Sequence, residues 1–186
     1  SVAADVPLPE RSAALRAAEA YRAAAKTDGA RITIHARIPS EAGLGSSSAD
    51  AAAVLSGMQA LYGALSEVEL FAIAARTGAD VPFCLAGGAA LCEGIGERIT
   101  PLPGMALNLL LVKGARGVST RALFEGLSLP LPLGDAGGAA AALRAGDVQA
   151  LAARVFNALT APVTRLVPEI ARYADRLRAE GALAAC

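Results

Sequence analysis

Between positions 39 and 50 the chain reads Pro39-Ser-Glu-Ala-Gly-Leu-Gly-Ser-Ser-Ser-Ala-Asp50, with Gly43 and Gly45 ahead of three hydroxyls. Glycine lets backbone come close to a ligand and take positive φ. A helix start offers free N–H groups and a partial positive charge. Together these form an anion site suited to di- and triphosphates. Pro39, Ala42, Gly43, Leu44, Gly45, Ser46, Ser47, Ser48 and Ala49 are the candidate cradle, and one hydroxyl, Ser48 in our reading, can reach a metal ion. Three other phosphate or nucleophile patterns fit less well. A P-loop ends in Gly-Lys-Ser/Thr, and no lysine stands here. A dinucleotide loop needs a third glycine where Ser48 stands. Gly45-Ser46-Ser47-Ser48-Ala49 approaches a hydrolase elbow, but the only histidine, His35, lies in the strand ahead of the loop. An ordinary serine-capped helix remains open as the plain alternative.

Three further segments carry candidate groups. In Gly78-Ala-Asp-Val-Pro-Phe83, Pro82 restricts Val81 to extended backbone, which places Asp80 on a stiff turn after a helix end. A carboxylate so held can accept the proton of a substrate hydroxyl, or it can simply bond its own turn. Glu93-Gly-Ile-Gly-Glu97, after Gly87-Gly88, reads as a tight β turn. Gly117-Val-Ser-Thr-Arg-Ala-Leu-Phe124 is a strand-to-helix entry in which Ser119, Thr120 and Phe124 are either substrate contacts or a capped helix with a core aromatic.

The elements that must hold these groups follow from periodicity. Residues 11–26 form a helix with Leu15, Ala18, Tyr21 and Ala25 on one stripe. Residues 31–37 alternate as a strand with Ile32 and Ile34 on one face. A helix from about Ser47 to Tyr62 carries the stripe Ala51, Val54, Leu55, Met58, Leu61 and Tyr62, and Gly63 ends it. Ser66 and Glu69 form a capping box for the next helix, to about Arg76. Residues 88–102 form a hairpin around Gly94-Ile95-Gly96, and 106–113 form a buried strand. Ser119 caps a short helix to Phe124, a Pro/Gly loop covers 127–136, and helices follow at 138–144, at 147–157 after Asp147, and at 167–181 with Pro168 in its first turn. The balance is α+β with a boundary near 102–106.

Composition narrows the function classes. Hydrophobic residues make up 54% of 186, enough for a buried core. The 17 basic and 17 acidic residues cancel without any long basic run, which argues against nucleic acid as a partner. No apolar run reaches membrane-span length, and Ser1-Val2-Ala3-Ala4-Asp5 is not a signal peptide. Cys84, Cys92 and Cys186 lack metal or redox spacing and read as small buried thiols of a reducing, cytoplasmic compartment. The chain opens without Met and closes on Ala184-Ala185-Cys186 within an apolar stretch, so residues are expected beyond both ends.

In this order and spacing, the four segments resemble the diphosphocytidyl-methylerythritol kinase family of the GHMP small-molecule kinases. Residues 38–52 look like its nucleotide loop. Residues 78–83, with Gly87-Gly88 and Glu93-Gly-Ile-Gly-Glu97-Arg98-Ile-Thr-Pro-Leu102, look like its most distinctive stretch, and Gly117-Val-Ser-Thr120 with Phe124 its substrate segment. Phe156-Asn157 and the last helix resemble its later helical region. The resemblance implies a GHMP kinase fold, with a ribosomal-protein-like N-terminal domain over 1–103 and a shortened ferredoxin-like C-terminal domain over 104–186. It implies ATP as phosphate donor with Mg²⁺, and phosphorylation of the 2-hydroxyl of a cytidine-linked methylerythritol. Asp80 is then the catalytic base, residues 43–48 cradle ATP phosphates, Phe124 stacks on cytosine, and Ser119 and Thr120 line the substrate side. Kinases of the homoserine or mevalonate type, or a non-catalytic nucleotide-binding remnant, are the alternatives.

The match has departures. Ser46 and Ser47 stand where the family usually has glycines, Ala36 stands for a common lysine, and Ser12 or a neighbour stands for an asparagine. The family's N-terminal lysine strand, its Tyr-His pair and its C-terminal Gly-Ser-Gly segment are not in these residues. The 186 residues alone are therefore expected to be inactive, because catalysis by positioning fails without the whole constellation. They are also expected to expose an apolar sheet edge beside Ile32 and Ile34.

Overall fold

The structure is a computed structural model that describes residues 2–5, 10–39 and 41–186, with backbone alone at 120–122. The chain packs as two compact units, Ser1–Pro39 with Leu44–Thr100, and Ser40–Gly43 with Pro101–Cys186.

The first unit begins with β1 (Val2–Ala4), which pairs in parallel with β2 (Ile32–Ile34), Val2 opposite Ile32 and Ala4 opposite Ile34. One edge of β2 is thus covered and Ile34 is buried, while no described strand pairs with the other edge, leaving the bare edge expected there. The strand is shorter than 31–37 because β1 ends first. Asp5 N–H still bonds the Ile34 carbonyl at 3.2 Å, and the Ala36 N–H then turns to the Asp5 carboxylate at 2.9 Å.

Helix α1 (Ala13–Ala25) starts at Ser12, whose hydroxyl accepts the Leu15 N–H at 3.3 Å. Its buried face is Ala13, Ala14, Ala17, Ala18 and Tyr21; of the expected stripe, Ala18 and Tyr21 are buried while Leu15 and Ala25 are half-buried. Small side chains let α2 (Ser46–Tyr62) lie close against it, and α2 contributes Ala51, Ala52, Val54, Leu55 and Met58, while Leu61 stays in solvent. Tyr21 is fully buried and its hydroxyl donates to Gln59 at 2.7 Å. Gln59 in turn donates to the Leu65 carbonyl at 2.7 Å, so this buried polar pair is satisfied. Gly63 closes α2 in the left-handed conformation.

Helix α3 (Glu67–Thr77) carries the expected capping box, Ser66 bonding the Glu69 N–H and Glu69 the Ser66 N–H. A short α4 (Val81–Ala86) follows and packs on α2 and α3. It was not foreseen, since Pro82 was read as forcing Val81 extended. Proline is tolerated in the first helical turn, where its missing N–H has no intrahelical partner anyway, and burial of Val81 and Pro82 decides the outcome. Strands β3 (Ala89–Glu93) and β4 (Arg98–Leu102) form the expected hairpin.

In the second unit, α5 (Thr120–Glu125) begins directly after Ser119. It is followed by α6 (Ala136–Ala145), α7 (Val148–Ala152), α8 (Thr160–Leu166) and α9 (Glu169–Ala179). Asp135 and Asp147 cap α6 and α7 through the N–H groups of Gly138 and Ala150, at 2.8 and 2.9 Å. The strand expected at 106–113 is not formed. No described strand pairs with it, and Leu109, Leu110 and Leu111 are 80%, 71% and 71% exposed. Helix α7 stops well short of 157, and α8 was missed. No helix among the described residues is long and apolar enough to cross a membrane.

Candidate phosphate loop and acidic turn

Leaving β2, the backbone takes positive φ at Glu41, Gly43 and Gly45, with values of 52°, 70° and 67°. A non-glycine residue there is strained, and the curl it gives to the loop leads into α2. Gly45 is the N-cap of α2 and no side chain caps the helix. The Gly45 carbonyl accepts the N–H groups of Ser48 and Ala49 at 3.0 and 2.9 Å. Among the described residues no acceptor meets the N–H groups of Gly45, Ser46 and Ser47. A β-carbon at Gly43 or Gly45 would meet nothing within 4 Å, so the space over the helix start is open. Ser46, Ser48 and Ala49 are half-buried and Ser47 is exposed. This arrangement can bind an anion by backbone donors and the helix dipole together.

Asp50, one turn into α2, was not singled out from the sequence. Burial raises its carboxyl above the ordinary value, and no partner is recorded among the described residues.

Asp80 opens α4 and is exposed, and its side chain makes no cap hydrogen bond. The turn-forming alternative is therefore not what its carboxylate does. The backbone around it is fixed from several sides. Val81 N–H bonds the Gly78 carbonyl at 3.1 Å, and Cys84 N–H bonds that of Asp80 at 3.0 Å. Arg16 of α1 donates to the Thr77 carbonyl at 2.9 Å. Cys84, one turn along α4, has its thiol pushed up by burial and then by the Asp80 charge.

Gly45, Ser46, Ser47, Ser48 and Asp80 thus share one compact unit, on helices that pack together. Ala42, Gly43, Ser119 and Phe124 belong to the other. There the Val118 N–H bonds the Glu41 carbonyl at 3.2 Å, and a β-carbon at Gly117 would collide with the Glu41 side chain. Gly117 is therefore a packing glycine that joins the segment before Ser119 to residue 41. Phe124 is 57% exposed, which removes the core-aromatic reading. Thr120 begins α5, and its side chain lies outside the described residues. Pro39 is exposed, and His35 is an exposed residue after β2 with Asp5 3.4 Å away, not a base for any serine.

Comparison with known proteins places the loop within a family. Residues 12–88 match the family described as GHMP kinases N terminal domain. These residues belong to the GHMP kinase family. The chain is 43% identical over 88% of its length to the 4-diphosphocytidyl-2-C-methyl-D-erythritol kinase of Moorella thermoacetica, and 41% identical over 98% to that of Streptomyces coelicolor. It spans 62% and 64% of those relatives. A solved structure of 4-(cytidine 5'-diphospho)-2C-methyl-D-erythritol kinase superposes with a TM-score of 0.70 at 34% identity, covering 97% of this chain and 66% of the solved one. The chain has the α+β GHMP kinase fold, and the loop at 39–49 lies within the matched domain.

Proposed function

We propose that this protein transfers the γ-phosphoryl group of ATP to the 2-hydroxyl of 4-diphosphocytidyl-2-C-methyl-D-erythritol, a step of non-mevalonate isoprenoid synthesis. The observation that carries the reading is the open, uncapped start of α2 after Gly45, on a helix packed against the one that the unengaged Asp80 opens. The names of the relatives supply the substrate class.

In this reading residues 39 and 42–49 surround the ATP phosphates, with the N–H groups of Gly45, Ser46 and Ser47 as donors. Ser48 is the hydroxyl assigned to Mg²⁺, which when bound neutralises charge on the transferred group. Asp80 accepts the proton of the 2-hydroxyl as its oxygen attacks the γ-phosphorus, and ADP leaves. Ser119 and Thr120 line the substrate side, and the exposed Phe124 ring is free to stack on cytosine. Residues 1–103 form the ATP-binding domain and 104–186 part of the second, a division supported by the change of compact unit after Thr100. Cys92 and Cys186 are exposed and Cys84 is half-buried, not buried as expected, because the hairpin and the chain end carry no packing over them; as free thiols the three support a cytoplasmic setting.

The test is steady-state turnover by the full-length gene product with ATP and the cytidine-linked substrate. Asp80→Asn lowers kcat by about 10² or more, the scale of a lost general base, with little change in substrate affinity. Phe124→Ala weakens the cytidine-linked substrate by about 1–3 kcal/mol and leaves ATP affinity alone. Preference for homoserine or mevalonate, or near-normal turnover by Asp80→Asn, overturns the reading.

A further inference from the structure

The Glu93-Gly-Ile-Gly-Glu97 motif has a geometry beyond that of a hairpin turn. The Glu97 carboxylate folds back over the turn and accepts the Ile95 N–H at 2.7 Å. It lies where a β-carbon on Gly94 would be, so Gly94 is the residue that makes room for it. The Gly96 N–H closes on the Glu93 carbonyl at 3.1 Å. Gly96 itself has φ of 112° and faces the neighbouring loop: a β-carbon there would sit 2.8 Å from the Ala79 carbonyl oxygen, closer than real β-carbons approach.

Ala79 is the residue before Asp80. Its carbonyl is backed by Gly96, the Thr77 carbonyl is held by Arg16, and the next two residues, Val81 and Pro82, are buried. We propose that the 94–97 turn is the positioning device for Asp80, with Gly96 as the residue through which it acts. The motif is then a rigid stop rather than a ligand loop. Glu97 stiffens the turn, Gly94 admits Glu97, and Gly96 admits the backbone that carries the carboxylate. A group that works by position needs such support, since misplacement by about 1 Å can cost 10²-fold in rate.

The proposal rests on Asp80 being the base, so its test separates the two. In the full-length gene product, Gly96→Ala lowers kcat by about tenfold to a hundredfold while KM for ATP holds. Gly63→Ala, equally at positive φ but with nothing within 4 Å, leaves kcat unchanged. In the Asp80→Asn background Gly96→Ala adds no further loss. A normal kcat in Gly96→Ala, or an additive loss, overturns the proposal while leaving Asp80 as the base. A second readout needs no turnover. With Cys92 and Cys186 replaced by serine, the pH profile for alkylation of Cys84 reports the Asp80 charge one helical turn away. Asp80→Asn moves its midpoint down, and Gly96→Ala shifts it as well. An unchanged Cys84 profile in Gly96→Ala overturns the proposal, whatever the role of Asp80.

Discussion

The two compact units are built from similarly apolar stretches and reach different ends. In the first, α1, α2, α3 and α4 share one cluster in which Tyr21, Leu55, Ile73 and Val81 are fully buried. In the second, the buried apolar residues are Leu123, Ala140, Ala142 and Val167, while Leu129 and Leu133 are 80% and 95% exposed. Helix caps do not explain the contrast: Asp135, Asp147 and Gly146 serve the second unit as Ser66 and Gly63 serve the first. What differs is whether helix faces meet. Local signals make helices, and only mutual burial makes a core.

The strongest way to break that comparison is a pair of matched truncations. Leu55→Ala should cost about 2–5 kcal/mol of unfolding free energy, as for other fully buried leucines. Leu110→Ala should stay within about 0.5 kcal/mol, the range of surface changes. Equal costs by denaturant titration would show that the second unit has a core after all.

Next in size is the anion site. Gly45→Val should abolish ATP binding by calorimetry, because a branched side chain resists φ of 67° and would fill the open space over α2. The circular dichroism of the helices should remain. Unchanged affinity would return the loop to an ordinary capped helix.

Smaller still is the cap comparison. Ser66→Ala should cost about 1 kcal/mol of global stability, because α3 belongs to the shared core. Asp147→Ala should fray α7 locally, seen as faster amide exchange at Ala150, without moving the main unfolding transition.

The smallest effect is one of pH. Glu97 is held below its usual carboxyl value of 4.5 by its own N–H and that of Ile95. Glu69 is held down by the Ser66 hydroxyl, and then by the Ser66 N–H. A folded value below the unfolded one means stabilisation that is full above about 4.5 and is lost as pH falls through the folded value. The protection of the Ile95 amide, relative to its intrinsic exchange rate at each pH, should therefore fall on acidification, and Glu97→Gln should flatten that dependence.

Much of the candidate site's geometry is legible in the sequence because it is local. Gly43, Gly45 and the serines announce an anion loop by their own conformational needs, and the Ser66–Glu69 capping box is written in four residues. The motif around Asp80 points to a stiff turn, but for another reason than the proline: Pro82 does not extend Val81. The contacts that fix the backbone here come from Arg16, 61 residues from the Thr77 it bonds, and from the close approach of Gly96 to Ala79. Such contacts leave no short-range pattern, and neither does the absence of a pairing strand for 106–113. Helix α1 buries Ala13, Ala14 and Ala17 beyond the expected stripe for a related reason. Its alanines look bland in sequence and become the buried face only because α2 can approach them closely.

The membership of Ser40–Gly43 in the second unit sets a limit on dissection of this protein. No single cleavage of the chain yields either unit whole. A product ending at Thr100 would retain Glu41 but lose Val118, the donor to its carbonyl. A product starting at Pro101 would keep Gly117 and lose the side chain it was shaped to admit. The loop after β2 and the segment leading to Ser119 are thus inherited together, so domain exchange between relatives would need two junctions inside the loop itself.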